Sequence, residues 1–120
     1  MLLITNGTVL TRTGSGELSP GYVLVDGEKI ASVGHGFSPE GFIPGPDDEV
    51  IDATGLFVSP GLIDAHNHVG LFDDGLNMEG DDGNEATDPV TPQMRAIDGI
   101  YHADRCFREA LAHGITAVMT

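Results

Sequence analysis

The stretch "PGLIDAHNHVGL", residues 60–71, decides how the chain is read. It opens on a Pro-Gly break, passes through Leu62 and Ile63, and ends with Asp64, His66 and His68 on alternate positions. An apolar start and a polar end are expected of a buried parallel strand whose tip meets a site. On a strand, residues two apart share a face, so Asp64, His66 and His68 are expected on one side and Asn67 on the other. Open α/β sheets and barrels gather their sites at the carboxyl ends of strands, where these histidines fall. Two neighbouring imidazoles supply two nitrogen ligands to one divalent ion. The His-x-His spacing also leaves a second reading open, a pair of surface or hydrogen-bonded histidines at a strand end.

Downstream, residues 70–91 carry seven acids and four glycines in one long loop. A loop of that length is functional or disordered more often than it is a plain connector. Thr91 reads as an N-cap with Pro92 at the first helical position, and this short helix falters at Asp98-Gly99. A second helix is expected from Ala103 to Ala112, with Ala103, Phe107, Ala110 and Leu111 toward the core. His113 suits its last turn, Gly114 its C-terminal cap, and "ITAVMT", 115–120, a second buried strand. The order from residue 60 is strand, long loop, helix, strand, which is one βαβ unit. A parallel pair with one crossover helix leaves edges open, so this unit reads as the start of a larger α/β domain.

Upstream, residues 1–58 read as short strands and tight turns. "LLITNGTVLT" is β-rich, with Asn6-Gly7 as a kink or bulge. "YVLVDGEKIASVG" reads as a hairpin turning at Asp26-Gly27. Residues 35–49 form a Gly/Pro-rich loop, and "VIDATG" and "LFVS" follow as short strands.

Composition bounds the function. The 120 residues hold nineteen acids against one lysine and four arginines, a formal net charge of −14. Binders of nucleic acid or of anionic membranes need the opposite sign, so neither partner is expected. No apolar run approaches a membrane span. The start, "MLLITNGTVLT", reads as a strand and not as an export signal, which makes a cytoplasmic location the expectation. The near absence of lysine fits a high-salt cytoplasm. The single cysteine, Cys106, is expected as a small buried hydrophobe.

Three segments in order, "GYVLVDGEKIASVG", "VIDATGLFVSPG" and "GLIDAHNH", resemble the amidohydrolase superfamily of metal-dependent hydrolases, and most closely its imidazolonepropionase-like members. The resemblance covers essentially the whole chain. It implies an α/β fold with a small β-domain: an N-terminal β-sandwich segment at 1–58, then the first βαβ unit of an incomplete (β/α)8 TIM-type barrel at 59–120. It implies that His66 and His68 are the first two ligands of a divalent metal, zinc foremost, which would acidify a water for attack on a non-peptide carbon–nitrogen bond, in a cyclic amide for instance. The family's later ligands and its catalytic aspartate would lie beyond Thr120. No catalytic residue is therefore assigned within the chain, and the isolated chain is expected to be inactive.

The other candidates are lesser. Asp64 is a second-tier candidate that orients a ligand or is simply satisfied by main-chain amides. Glu79, Asn84, Glu85 and Thr87 are the candidate substrate-loop residues, whereas Asp73, Asp74, Asp81 and Asp82 read as solvated charge. His35 and His102 have surface or capping roles. A small-molecule substrate is the expected partner, with self-association or a partner chain meeting the open barrel edges. Two rival readings stand beside this one: a non-catalytic binding or structural module, and one half of a split hydrolase.

Overall fold

The structure, a computed structural model, describes residues 1–72 and 78–120. Asp73 and Asp74, expected to be solvated charges, lie outside the described residues. The chain divides into two compact units, Met1–Pro60 and Gly61–Thr120.

The first unit is a five-stranded mixed sheet. Its strands are β1 (Leu2–Leu10), β2 (Glu17–Asp26), β3 (Lys29–His35), β4 (Glu49–Asp52) and β5 (Phe57–Val58). The order is β3-β2-β1-β4, and β5 continues along β1 beyond β4. β1 runs antiparallel to β2 but parallel to both β4 and β5. The β2–β3 hairpin forms, with a slightly shifted turn. Asp26 pairs with Lys29, so the two turn residues are Gly27 and Glu28. Gly27 takes φ 58°, the left-handed conformation required at the first turn position. The kink expected at Asn6-Gly7 is a true irregularity: Asn6 has φ 65°, and the β1–β2 register shifts on both sides of Gly7. Leu3, Tyr22 and Leu24 form the buried cluster, with Phe42 packed against it. Burying side chains of this kind stabilises a fold by about 1.5–3 kcal/mol each.

The second unit contains β6 (Leu62–Asp64), α1 (Ala96–Gly99), α2 (Arg105–Ala112) and β7 (Ile115–Val118), with one 3-10 turn at Met78–Gly80. β6 and β7 pair in parallel, giving the βαβ order read from the sequence. Several expectations need correction here. β6 ends at Asp64, not at the histidines. The first helix begins at Ala96, because Thr91–Met94 closes a turn through Met94 N–H to the Thr91 carbonyl, 3.1 Å. α2 begins at Arg105, since Asp104 is its N-cap, its Oδ1 accepting the Cys106 N–H at 2.8 Å. Phe107, Ala110 and Cys106 are only half-buried, and Ala103 and Leu111 are exposed. The two strands are not buried either: Leu62 and Ile63 stay 59% and 77% exposed. The exposure of these side chains has one physical reason. Among the regular elements described in this unit, β6 pairs only with β7 and α2 packs only on β7. His35, expected at the start of the 35–49 loop, closes β3, and its Nε2 lies 3.2 Å from the Ser19 carbonyl. Among the described residues no helix is long and apolar enough to cross a membrane.

Candidate metal centre

The chain leaves β6 at Asp64 and bends through Ala65 and His66. Pairing to the end of β7 nonetheless continues past the strand: Met119 N–H donates to the Asp64 carbonyl at 2.9 Å, and Asn67 N–H to the Met119 carbonyl at 3.0 Å. The two histidines therefore sit beside the carboxyl end of the parallel pair, on a bend instead of on strand geometry. Their rings meet edge to face, with centroids 5.3 Å apart and an interplanar angle of 88°. The His68 ring also leans on Phe72 at 5.5 Å. Both histidines are exposed.

Asp64 is engaged on both oxygens. Oδ1 accepts the His66 N–H at 3.3 Å and Oδ2 accepts Asn67 Nδ2 at 3.1 Å. It touches the backbone of one histidine and no imidazole. Asn67 is half-buried, whereas the histidines on either side of it are exposed.

Two neighbouring neutral imidazoles suit zinc and other borderline divalent ions, so the pair fits as part of a ligand set. Among the described residues, no group of three or more His, Cys, Asp or Glu is arranged to hold a metal ion. A structural or catalytic zinc takes at least three protein ligands, so the pair supplies only some of them.

Of the described loop residues, Leu71 and Phe72 meet His68, through the Leu71 N–H to the His68 carbonyl and the ring contact. The loop folds back on itself: Asp82 N–H donates to the Leu71 carbonyl at 2.8 Å, Phe72 and Asp81 form an isolated bridge, and Leu71 is buried. Asn84 and Glu85 line an open groove of about 680 Å3 with Asp81, Asp82, Asp98 and Arg95. Neither histidine lines it, and neither do Glu79 and Thr87. Glu85 Oε1 accepts the Thr87 N–H at 2.7 Å, and the Thr87 side chain followed by that amide holds the Glu85 carboxyl below its ordinary value. Asp98 is paired bidentately with Arg95, at 2.7 and 2.9 Å. The candidate loop residues thus divide between a groove and its surroundings.

Three residues that shape the histidine segment escape a reading based on spacing. Asn67 is one. Gly70 is another: at φ 87° it presses on α2, where a Cβ would stand 2.9 Å from Phe107 Cζ. Asp104 is the third, buried at the start of α2 near that contact. The Cys106 backbone amide chiefly holds the Asp104 carboxyl below its ordinary value; burial opposes this, and the Cys106 side chain, the Gly70 amide and Arg105 add to it. Signals for two of these were present, a glycine closing the motif and an Asp before a helix.

No family model matches the chain. Over 67 residues, 56% of the chain, it is 49% identical to a dihydroorotase of Bacillus pumilus, covering 14% of that protein. It is 40% identical over 68 residues to an allantoinase of Salmonella paratyphi B, covering 57% of this chain and 13% of the relative. In fold it is similar to an amidohydrolase from Thermotoga maritima, with TM-score 0.82 and 44% identity over 99% of this chain and 29% of that one. The chain thus spans less than a third of the length of each. These names bear on the superfamily, not on its imidazolonepropionase-like branch. By sequence and by fold the chain belongs to the amidohydrolase superfamily, as a match to the N-terminal portion of its members.

Proposed function

We infer that the chain supplies His66 and His68 as the first two metal ligands of a hydrolase that cleaves a carbon–nitrogen bond outside peptides, with a cyclic amide as the substrate class. The observation that carries this reading is the edge-to-face pair of imidazoles beside the ends of two parallel strands. The names dihydroorotase, allantoinase and amidohydrolase among its relatives support the same chemistry. Residues 1–58 are read as a segment of a β-sandwich and residues 59–120 as the start of a (β/α)8 barrel. When bound by a sufficient ligand set, zinc supplies acidity to a water and polarises the scissile group. The chain's own part is to present two imidazoles, with Asp64 tying the His66 backbone to the end of β6. Glu79, Asn84, Glu85 and Thr87 remain the proposed substrate-loop residues, their acids suited to a cationic group on a small molecule. Two ligands do not make a working site, so the 120-residue chain alone is read as inactive.

Zinc titration by calorimetry tests the assignment. The wild-type chain should take up zinc weakly, and a His66→Ala/His68→Ala double variant should not. Equal uptake by both would favour a non-catalytic module, the reading that the exposure of both histidines also allows. Hydrolysis of a cyclic amide by the chain alone, abolished in His66→Ala, would overturn the claim of inactivity.

A further inference from the structure

The segment bearing the histidines is short, exposed and outside regular structure, so something must hold its two rings side by side. The rings themselves accept no side-chain brace from Asp64. The residue between them has the most connections. Asn67 Nδ2 donates to Asp64 Oδ2 at 3.1 Å, which ties it to the end of β6. Its Oδ1 accepts the Val69 N–H at 3.1 Å, which closes the turn carrying His68. The same oxygen accepts the Thr120 hydroxyl at 3.0 Å, beyond the end of β7, and that hydroxyl also lies 3.3 Å from the Val69 carbonyl. Its backbone N–H donates to Met119. One side chain thus joins the ends of both strands to the turn after the second histidine.

We propose that Asn67 is the positioning residue of the histidine pair, with Thr120 as its brace on the neighbouring strand. The proposal deepens the metal-ligand reading above and rests on it. Asn67 touches no ligand; it sets where the two imidazoles stand. The amide is required as both donor and acceptor. An aspartate there would keep the bonds from Val69 and Thr120 but would set a second carboxylate against Asp64, and like charges at hydrogen-bond distance repel. An alanine would leave Val69 N–H and the Thr120 hydroxyl without their partner. Outer residues that orient metal ligands typically change affinity by about 10-fold to 100-fold when lost.

The test uses the full 120-residue chain as wild type, Asn67→Ala, Thr120→Val and Thr120→Ser. Zinc affinity is read by calorimetry. In the metal-free protein, contact between the His66 and His68 rings is read by nuclear Overhauser effects. Asn67→Ala should bind zinc about 10-fold to 100-fold more weakly and lose the ring contact. Thr120→Val should move both readouts in the same direction, and Thr120→Ser should restore both. Wild-type affinity and an intact ring contact in Asn67→Ala would overturn the proposal. If the wild type takes up no more zinc than the double-histidine variant, the metal reading fails by itself. The ring contact then decides the positioning role: its loss in Asn67→Ala and Thr120→Val supports the role, and its retention overturns it. If Asn67→Ala does not fold, the contrast between Thr120→Val and Thr120→Ser decides alone.

Discussion

Two glycines face each other where β1 and β2 slip register. Gly7 pairs with Gly21, and each lies where a side chain has no room. A Cβ on Gly21 would stand 2.6 Å from the Leu18 carbonyl oxygen and 2.8 Å from Val9 Cγ2. The first of these is backbone and cannot swing aside. Gly21→Ala should therefore destabilise the sheet by about 1–3 kcal/mol, the usual effect of overpacking. Urea denaturation checks this, and an unchanged midpoint would contradict the close approach. Gly21 stands in the segment "GYVLVDGEKIASVG", and nothing in its local sequence gives the reason for a glycine there. Only the register shows which neighbours crowd it.

At the scale of elements, α2 depends on how it starts. Asp104 caps it and is buried, 4% exposed. Asp104→Ala should cost about 0.5–2 kcal/mol, whereas Asp104→Asn should retain most of the cap. Thermal melts of the two variants measure the difference. The cap also has a pH dependence of fixed sign. The folded carboxyl titrates below its ordinary value of 3.8, so its contribution is complete above that value and lost as pH falls through the lower folded value. The Cys106 amide resonance should report this loss only below about pH 4. A midpoint at or above the ordinary value would contradict the capping bond. The helix end was legible, since Gly114 takes φ 84° and His113 caps with its Nδ1 2.7 Å from the Glu109 carbonyl. The helix start was misplaced because apolar spacing extends to Ala103, while the chain direction changes at Asp104. β6 was likewise read too long. Alternation from Asp64 to His68 is a strand pattern, but the His66 N–H donating to Asp64 Oδ1 and the Val69 N–H donating to Asn67 Oδ1 turn that segment into a bend.

The whole chain carries a charge of −14, dispersed over both units. Self-repulsion at that charge weakens the compact state and is screened by salt. The melting temperature should rise between low and molar potassium chloride, and a flat or falling curve would remove the case for adaptation to high salt. The sequence by itself determined the order of the elements, the hairpin turn at Gly27, the helix stop at Gly114 and the nearness of two imidazoles. These depend on backbone preferences and on neighbours a few residues away. Tertiary structure alone decided that β4 and β5 both run parallel to β1, that Leu62, Ile63 and Leu111 stay uncovered, and that the acidic groove stands apart from the histidines. It also decided that Asn67 joins Asp64 to Thr120, 53 positions further on. Such contacts follow from which strand ends meet in space, and no local pattern of residues records that.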